Sequence, residues 1–150
     1  HRDLHSFPTR RSSDLVIFDA DALYAIHRSV MAEPSRAVVC GHLGGFVQLV
    51  LSDTQLRVSA CSSSTPWLTP TYDVTALGQP DVDSLEKICP GAAIVGWFRS
   101  IRGTQQLFPS ASDMRLHSSM FAGVYHAICC LVSCCQTDYQ RFSFGVFRLE

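Results

Sequence analysis

The residues of this chain whose types and spacing could do chemistry lie in the segment 93–117, AIVGWFRSIRGTQQLFPSASDMRLH. Two ligands spaced two residues apart on a strand can bind one ion, and a downstream carboxylate and a water complete a catalytic zinc site. In this segment, Arg99 and Ile101 have that spacing, and Asp113 is the downstream carboxylate. Arg99 offers hydrogen-bond donors and a permanent positive charge, and Ile101 has no lone pair. Asp113 alone cannot hold zinc.

The same segment resembles the core motif of the JAMM/MPN family of ubiquitin isopeptidases. In that family an apolar strand runs into Gly-Trp-Tyr-His-x-His, and Ser-x-x-Asp follows. The chain keeps the glycine, the aromatic pair, the serine and the aspartate of the motif, as Gly96, Trp97, Phe98, Ser110 and Asp113. The resemblance implies that Arg99 and Ile101 stand where the two metal-binding histidines would be. We therefore expect a fold that has kept its shape and lost its metal.

An earlier segment gives a second check on the chemistry. In the family, the glutamate that carries the proton for the metal-bound water lies in a pattern like Glu-Val-x-Gly-x-x-x-Gly. The segment 38–45, VVCGHLGG, resembles this pattern, and Val38 stands in the place of the glutamate. The reaction of this family needs a glutamate and two histidines, which Val38, Arg99 and Ile101 cannot replace. We expect a pseudoenzyme with no catalytic residue, no metal and no cofactor.

The non-catalytic branch that the chain resembles is that of the Abraxas-type scaffold subunits. Their pattern is roughly Gly-Trp-Tyr/Phe-basic-x-Arg-Arg-x-Thr/Ser, then Ser/Thr-x-Arg-Glu, then Leu-His. The residues that follow it are Arg102, Thr104, Ser110, Asp113, Leu116 and His117. The resemblance implies a scaffold that forms a heterodimer with a catalytic JAMM subunit specific for lysine-63-linked ubiquitin and meets ubiquitin indirectly. A structural subunit of the proteasome lid, the signalosome or the translation initiation factor is the alternative.

The start of the chain offers an alternative from another class of protein. The segment 16–21, VIFDAD, resembles the first motif of haloacid-dehalogenase-type phosphatases, an apolar strand that ends in Asp-x-Asp. That resemblance implies Asp19 as the phosphoryl-accepting nucleophile and Asp21 as the acid and base. Ala-Leu follows where Gly-Thr is usual, and Lys87 is the one candidate lysine. We therefore rank the phosphatase below the scaffold.

The first fifteen residues, HRDLHSFPTRRSSDL, match the translation of a common sequencing adapter. We exclude residues 1–15 from fold reasoning and expect them to be disordered and to pack on nothing. Their arginines would otherwise suggest a basic arm that touches nucleic acid. Residues 16–150 are expected to form one MPN-like domain, truncated at its C-terminus because the coiled coil of the scaffold relatives does not follow.

The composition and the net charge limit the classes of partner that we expect. The formal net charge of −1 gives no electrostatic reason for binding nucleic acid or an anionic membrane. The most apolar window, residues 120–135, is shorter than a membrane span. The sequence therefore predicts neither a nucleic-acid partner nor a membrane.

The seven cysteines indicate a reducing compartment, because their number is odd and most lie in apolar runs. We expect a cytoplasmic or nuclear protein. Strand alternation puts Cys129 and Cys135 on one face and Cys130 and Cys134 on the other, so these four thiols do not converge on a metal. They are interpreted as small buried hydrophobic residues.

The hydrophobic pattern predicts an α/β fold with a central mixed β-sheet flanked by helices on both sides, and the resemblance implies that it is of the MPN/JAB-like type. Helices are predicted at 21–31, at 81–88 with Asp81 as cap, and at 110–122 with Ser110 as cap. Strands are predicted at 37–40 and 46–51 around a glycine turn, and at 56–60, 92–98, 127–134 and 142–149. Residues 99–109 are predicted to form a loop.

Overall fold

The computed structural model describes residues 2–3, 15–32, 38–51, 53–63, 77–101, 107–124, 126–134 and 142–149. In chain order the elements are β1 (Arg2–Asp3), β2 (Leu15–Phe18), α1 (Ala20–Met31), β3 (Cys40–Val50), β4 (Asp53–Ser63), α2 (Val82–Ile88), β5 (Ala93–Ile101), α3 (Ala111–Met120), β6 (Ile128–Cys134) and β7 (Phe142–Arg148). Within these ranges, no helix is long and apolar enough to cross a membrane.

The strands form one mixed sheet in the order β1-β7-β6-β5-β3-β4-β2. Strand β5 lies in the interior of this sheet, parallel to β6 and antiparallel to β3. Strand β2 is parallel to β4 at one edge, and the remaining neighbours are antiparallel. The predicted mixed class with a central mixed sheet is therefore confirmed. The finer MPN arrangement stays a prediction.

The core lies on both faces of the sheet, because neighbouring residues of the interior strands point in opposite directions. On one face, Phe98 of β5 belongs to the cluster that α1 covers. On the other face, Trp97 of β5 belongs to the cluster that contains Leu116 of α3. Strand β6 divides in the same way, with Cys130 in the first cluster and Cys129 in the second.

The three predicted helices form, and local signals set the starts of α2 and α3. Helix α1 buries residues spaced four apart, Ala22, Ile26 and Val30. The carboxylate of Asp81 accepts a hydrogen bond from the N–H of Ser84 and caps α2. Ser110 caps α3, which ends at Met120, two residues before the predicted end. The predicted antiparallel strand pair near the C-terminus is also confirmed, as β6 and β7.

The predicted glycine turn between strands 37–40 and 46–51 is wrong. Strand β3 runs without a break from Cys40 to Val50, and its register shifts beside Gly44 and Gly45. A Cβ atom at Gly45 would lie 1.8 Å from the carbonyl oxygen of Arg57 on β4. At Gly45 the lack of a side chain therefore allows close approach of the strands, which is a common role of glycine inside a sheet.

The loop predicted at 99–109 is wrong at its start. Strand β5 continues to Ile101, with Arg99 opposite Cys40 on β3 and beside Leu131 on β6. The polar residue does not end the strand, because its charge has a partner inside the fold, as described below. Residues 102–106 lie outside the described ranges.

The prediction that residues 1–15 pack on nothing is wrong for three of them. Arg2 and Asp3 pair with Arg148 and Phe147 of β7. Leu15 begins β2 and pairs with Gln55 of β4. An edge strand has free backbone N–H and C=O groups, so a short segment of almost any sequence can pair with it. Residue 1 and residues 4–14 lie outside the described ranges, and the adapter origin of the segment stays a prediction.

Candidate functional site

The three positions that the resemblance gives as degenerate lie close together on one face of the sheet. The N–H of Val39 donates to Oγ of Ser100 at 2.8 Å, and the N–H of Ser100 donates to the carbonyl of Val39 at 2.7 Å. This pairing puts Val38 across from Ile101. Arg99 is two residues from Ile101 on the same strand and shares its face. This pairing therefore places all three positions on one face of the sheet.

A buried ion pair joins this face to the start of α3. Nε of Arg99 donates to Oδ1 of Asp113 at 2.7 Å, and Nη2 donates to Oδ2 at 2.7 Å. The side chain of Arg99 is 12% exposed and that of Asp113 is fully buried. Such a bidentate arginine–carboxylate contact is among the strongest hydrogen-bonded pairs in proteins. Both carboxylate oxygens of Asp113 are therefore bound to a cation that belongs to the chain.

The same carboxylate closes a capping box. The backbone N–H of Ser110 donates to Oδ2 of Asp113 at 2.7 Å, and the N–H of Asp113 donates to Oγ of Ser110 at 3.1 Å. The two residues satisfy each other's backbone donors at the start of α3. The retained Ser-x-x-Asp motif thus has a structural role in addition to its contact with Arg99.

Burial acts on both charges of the pair. It raises the pKa of Asp113 to about 6, against the lowering effect of the N–H of Ser110. Burial also lowers the pKa of Arg99. A guanidinium group starts so high that it stays charged in proteins. At neutral pH the pair is therefore ionised, and its two charges compensate each other.

The arrangement cannot bind a metal ion through Asp113 while Arg99 holds both oxygens. Ile101 is buried and apolar, and Val38 brings no carboxylate. Among the described residues, no group of three or more His, Cys, Asp or Glu side chains could hold a metal ion. The predictions of no metal, no cofactor and no catalytic residue stay predictions, argued from the chemistry of these side chains.

Two buried histidines lie beside the ion pair, and the sequence alone assigned no role to one of them. Nε1 of Trp97 donates to Nδ1 of His117 at 3.1 Å. His42 lies opposite Trp97 in the register of β3 and β5, and its Nε2 has no hydrogen-bond partner among the described residues. Burial lowers the pKa of each imidazole to about 4. Both rings are therefore neutral at physiological pH. The sequence alone could not have placed His42 at this site, because its position opposite Trp97 depends on the register of β3 and β5.

The cysteines of β6 lie as the strand alternation predicts. Cys129 and Cys130 are buried in the cores on opposite faces of the sheet. Burial raises the pKa of Cys130 to about 12 and that of Cys129 well above its usual value. Thiols in this state are not reactive. Cys135 and the side chain of Cys134 lie outside the described part of the chain.

The candidate residues of the phosphatase alternative are only partly brought together. Asp19 and Asp21 line an open cavity of about 570 Å³ between the first turn of α1, the strands β3 and β4, and the end of α2. Lys87 is not among its lining residues. Oδ1 of Asp19 accepts a hydrogen bond from Nε of Arg57 at 2.8 Å and lies 2.8 Å from Nη2 in an ion pair, and the pKa of Asp19 is lowered mainly by the hydrogen bond with Arg57. One oxygen of the carboxylate implied as nucleophile is therefore bound to a guanidinium group.

Comparison with known proteins gives the fold and no function. No family model matches the chain, and no curated protein matches it. The structure is similar to the solution structure of a protein from Salinibacter ruber, with a TM-score of 0.51 and 20% sequence identity. The match covers 89% of this chain and 88% of that one. At this identity the likeness extends to the fold alone.

Proposed function

We propose that this chain is a non-catalytic MPN domain, most like the Abraxas-type scaffold subunits, that pairs with a catalytic JAMM deubiquitinase. The observation that carries the proposal is the bidentate pair between Arg99 and Asp113. The carboxylate that would be a metal ligand in the family is retained, and a cation from the histidine position holds both of its oxygens. In this proposal, the guanidinium group of Arg99 takes the place that the metal ion has in active relatives, beside the carboxylate of Asp113.

The other two degenerate positions support the same proposal. Val38, two residues before β3, lies across from Ile101 at the end of β5, and both share a face with Arg99. In an active relative, this face would hold the glutamate and both histidines. Val38 lies more than sixty residues before Arg99 and Ile101 in the sequence, and its place beside them is what a degenerate metal site requires.

A domain without its own catalytic groups contributes to the reaction through an active partner. We propose a heterodimer with a JAMM subunit that cleaves lysine-63-linked ubiquitin, so that this chain meets ubiquitin through its partner. The compartment would be the cytoplasm or the nucleus, and neither nucleic acid nor a membrane is required. A structural subunit of the proteasome lid, the signalosome or the translation initiation factor is the alternative within the family.

The test is copurification of the tagged chain from its source cell. We expect a zinc-dependent JAMM subunit in the eluate, with cleavage of lysine-63-linked diubiquitin that a chelator abolishes. The control is the same chain purified alone from bacteria, which should neither cleave diubiquitin nor contain stoichiometric zinc. An eluate without a JAMM subunit would contradict the partner, and zinc-dependent cleavage by the isolated chain would contradict the pseudoenzyme. Coeluting subunits distinguish the deubiquitinase complex from the alternative assemblies.

The phosphatase alternative ranks lower, although Asp19 and Asp21 line one open cavity. The strand of its motif is β2, at the edge of the sheet. One carboxylate oxygen of Asp19 is already bonded to Arg57, and this cation lowers the nucleophilicity of the carboxylate toward a phosphoryl group. Magnesium-dependent phosphatase activity that is lost in Asp19→Asn would overturn this ranking.

A further inference from the structure

We draw no further inference here: the strongest candidate, the open cavity of about 570 Å³ between the first turn of α1, the strands β3 and β4 and the end of α2, carries none, because its polar groups are those of a helix N-terminus and a surface ion pair together with Gln48, Ser59 and a single thiol, and nothing in the described part of the chain shows which ligand they would hold.

Discussion

Arg99 compensates the charge of a carboxylate that has no exposed surface. Removal of one partner of a buried pair leaves the other charge without compensation, which typically costs about 3–5 kcal/mol. We therefore expect Arg99→Met to lower the free energy of unfolding by about that amount, measured by chemical denaturation. The buried Asp113 would then be uncompensated, although protonation of its carboxyl group relieves part of the cost.

Arg115 provides the matched control for this change. It lies exposed on α3, and its Nη2 donates to Oγ of Ser112 at 3.1 Å. Loss of an exposed contact of this kind usually changes stability by about 0.5 kcal/mol or less. If Arg115→Met and Arg99→Met cost the same, the ion pair with Asp113 does not have the role described here.

The buried histidines make stability depend on pH. The folded-state pKa of His42 and of His117 is about 4, below the ordinary value of 6.5. The native state therefore favours the neutral imidazole. The stability linked to each ring is complete above pH 6.5 and is lost as the pH falls toward 4, at up to about 1.4 kcal/mol per pH unit. Asp113 has a raised pKa, so its protonation offsets part of this loss.

The variant His42→Leu tests this dependence. Leucine removes the titrating ring and a buried nitrogen that has no hydrogen-bond partner, so the fold should tolerate it. We expect the free energy of unfolding of His42→Leu to fall less than that of the wild type between pH 6.5 and 4. His27→Leu on the half-buried side of α1 is the control. Identical slopes for the wild type and His42→Leu would contradict a depressed pKa at His42.

At the scale of the elements, β3 and β5 bring Val38, Arg99 and Ile101 to one face near the start of α3. Restoring the family's residues at these positions should therefore create a zinc site with Asp113. We expect the variant Val38→Glu/Arg99→His/Ile101→His to bind one zinc ion, with two imidazoles and one carboxylate as protein ligands. The measurement is the zinc content of the purified variant together with a binding titration.

The control for the restored site is the same variant with Asp113→Asn added. Loss of the carboxylate should abolish stoichiometric zinc, because the remaining histidines alone form a weak site. A folded triple variant that binds no zinc would contradict the proposal that this groove is a degenerate metal site. The Arg99–Asp113 pair would then be a structural contact that did not arise from a metal site.

Close approach of β3 and β4 gives a prediction at the same scale. A Cβ at Gly45 would lie 1.8 Å from the carbonyl oxygen of Arg57, so Gly45→Ala must push the strands apart. At the neighbouring Gly44, the nearest atom is a methyl carbon of Leu85 at 3.3 Å, which can move. We expect chemical denaturation to give a loss of about 3 kcal/mol for Gly45→Ala and a much smaller loss for Gly44→Ala. Equal losses would show that the strands can separate freely.

At this scale, a feature could be predicted from the sequence only where its signal lies within a short segment of the chain. The cap at Ser110 could be predicted because Ser-x-x-Asp acts within one turn of a helix. The continuity of β3 could not, because the role of Gly45 depends on Arg57 of another strand. The loop predicted from Arg99 onward failed for a similar reason. A charged residue usually ends a buried strand, and its partner Asp113 lies on a different element.

The features of the candidate site also differ in whether the sequence alone could predict them. Side-chain chemistry alone was enough to predict that Arg99, Ile101 and Val38 are poor metal ligands. Their place on one face of the sheet became clear only from the strand register. The bidentate geometry and the position of His42 opposite Trp97 required the assembled sheet, because no local pattern connects β3, β5 and α3.

At the scale of the whole molecule, the described residues before β2 contribute little to the sheet. The described contacts of its first residues are two residue pairs between β1 and β7. Deletion of residues 1–14 should therefore lower the free energy of unfolding by about 1 kcal/mol or less and leave the circular dichroism spectrum unchanged.

Deletion of residues 1–18 is the matched comparison for this prediction. It also removes β2, whose residues Val16 and Phe18 pack against the core beneath α1. We expect a much larger loss of stability from this second deletion. If the shorter deletion unfolds the domain, the N-terminal segment is an integral part of the fold and the adapter interpretation is wrong.

The arginine that faces Asp113 is covalently attached to the chain, whereas a zinc ion in the same place would be exchangeable. Treatment with a chelator such as EDTA, or metal starvation, would therefore leave the ion pair between β5 and α3 intact. A zinc-dependent partner would lose its ion under the same treatment. Exposure to EDTA would thus inactivate such a heterodimer through one subunit while the other kept its shape.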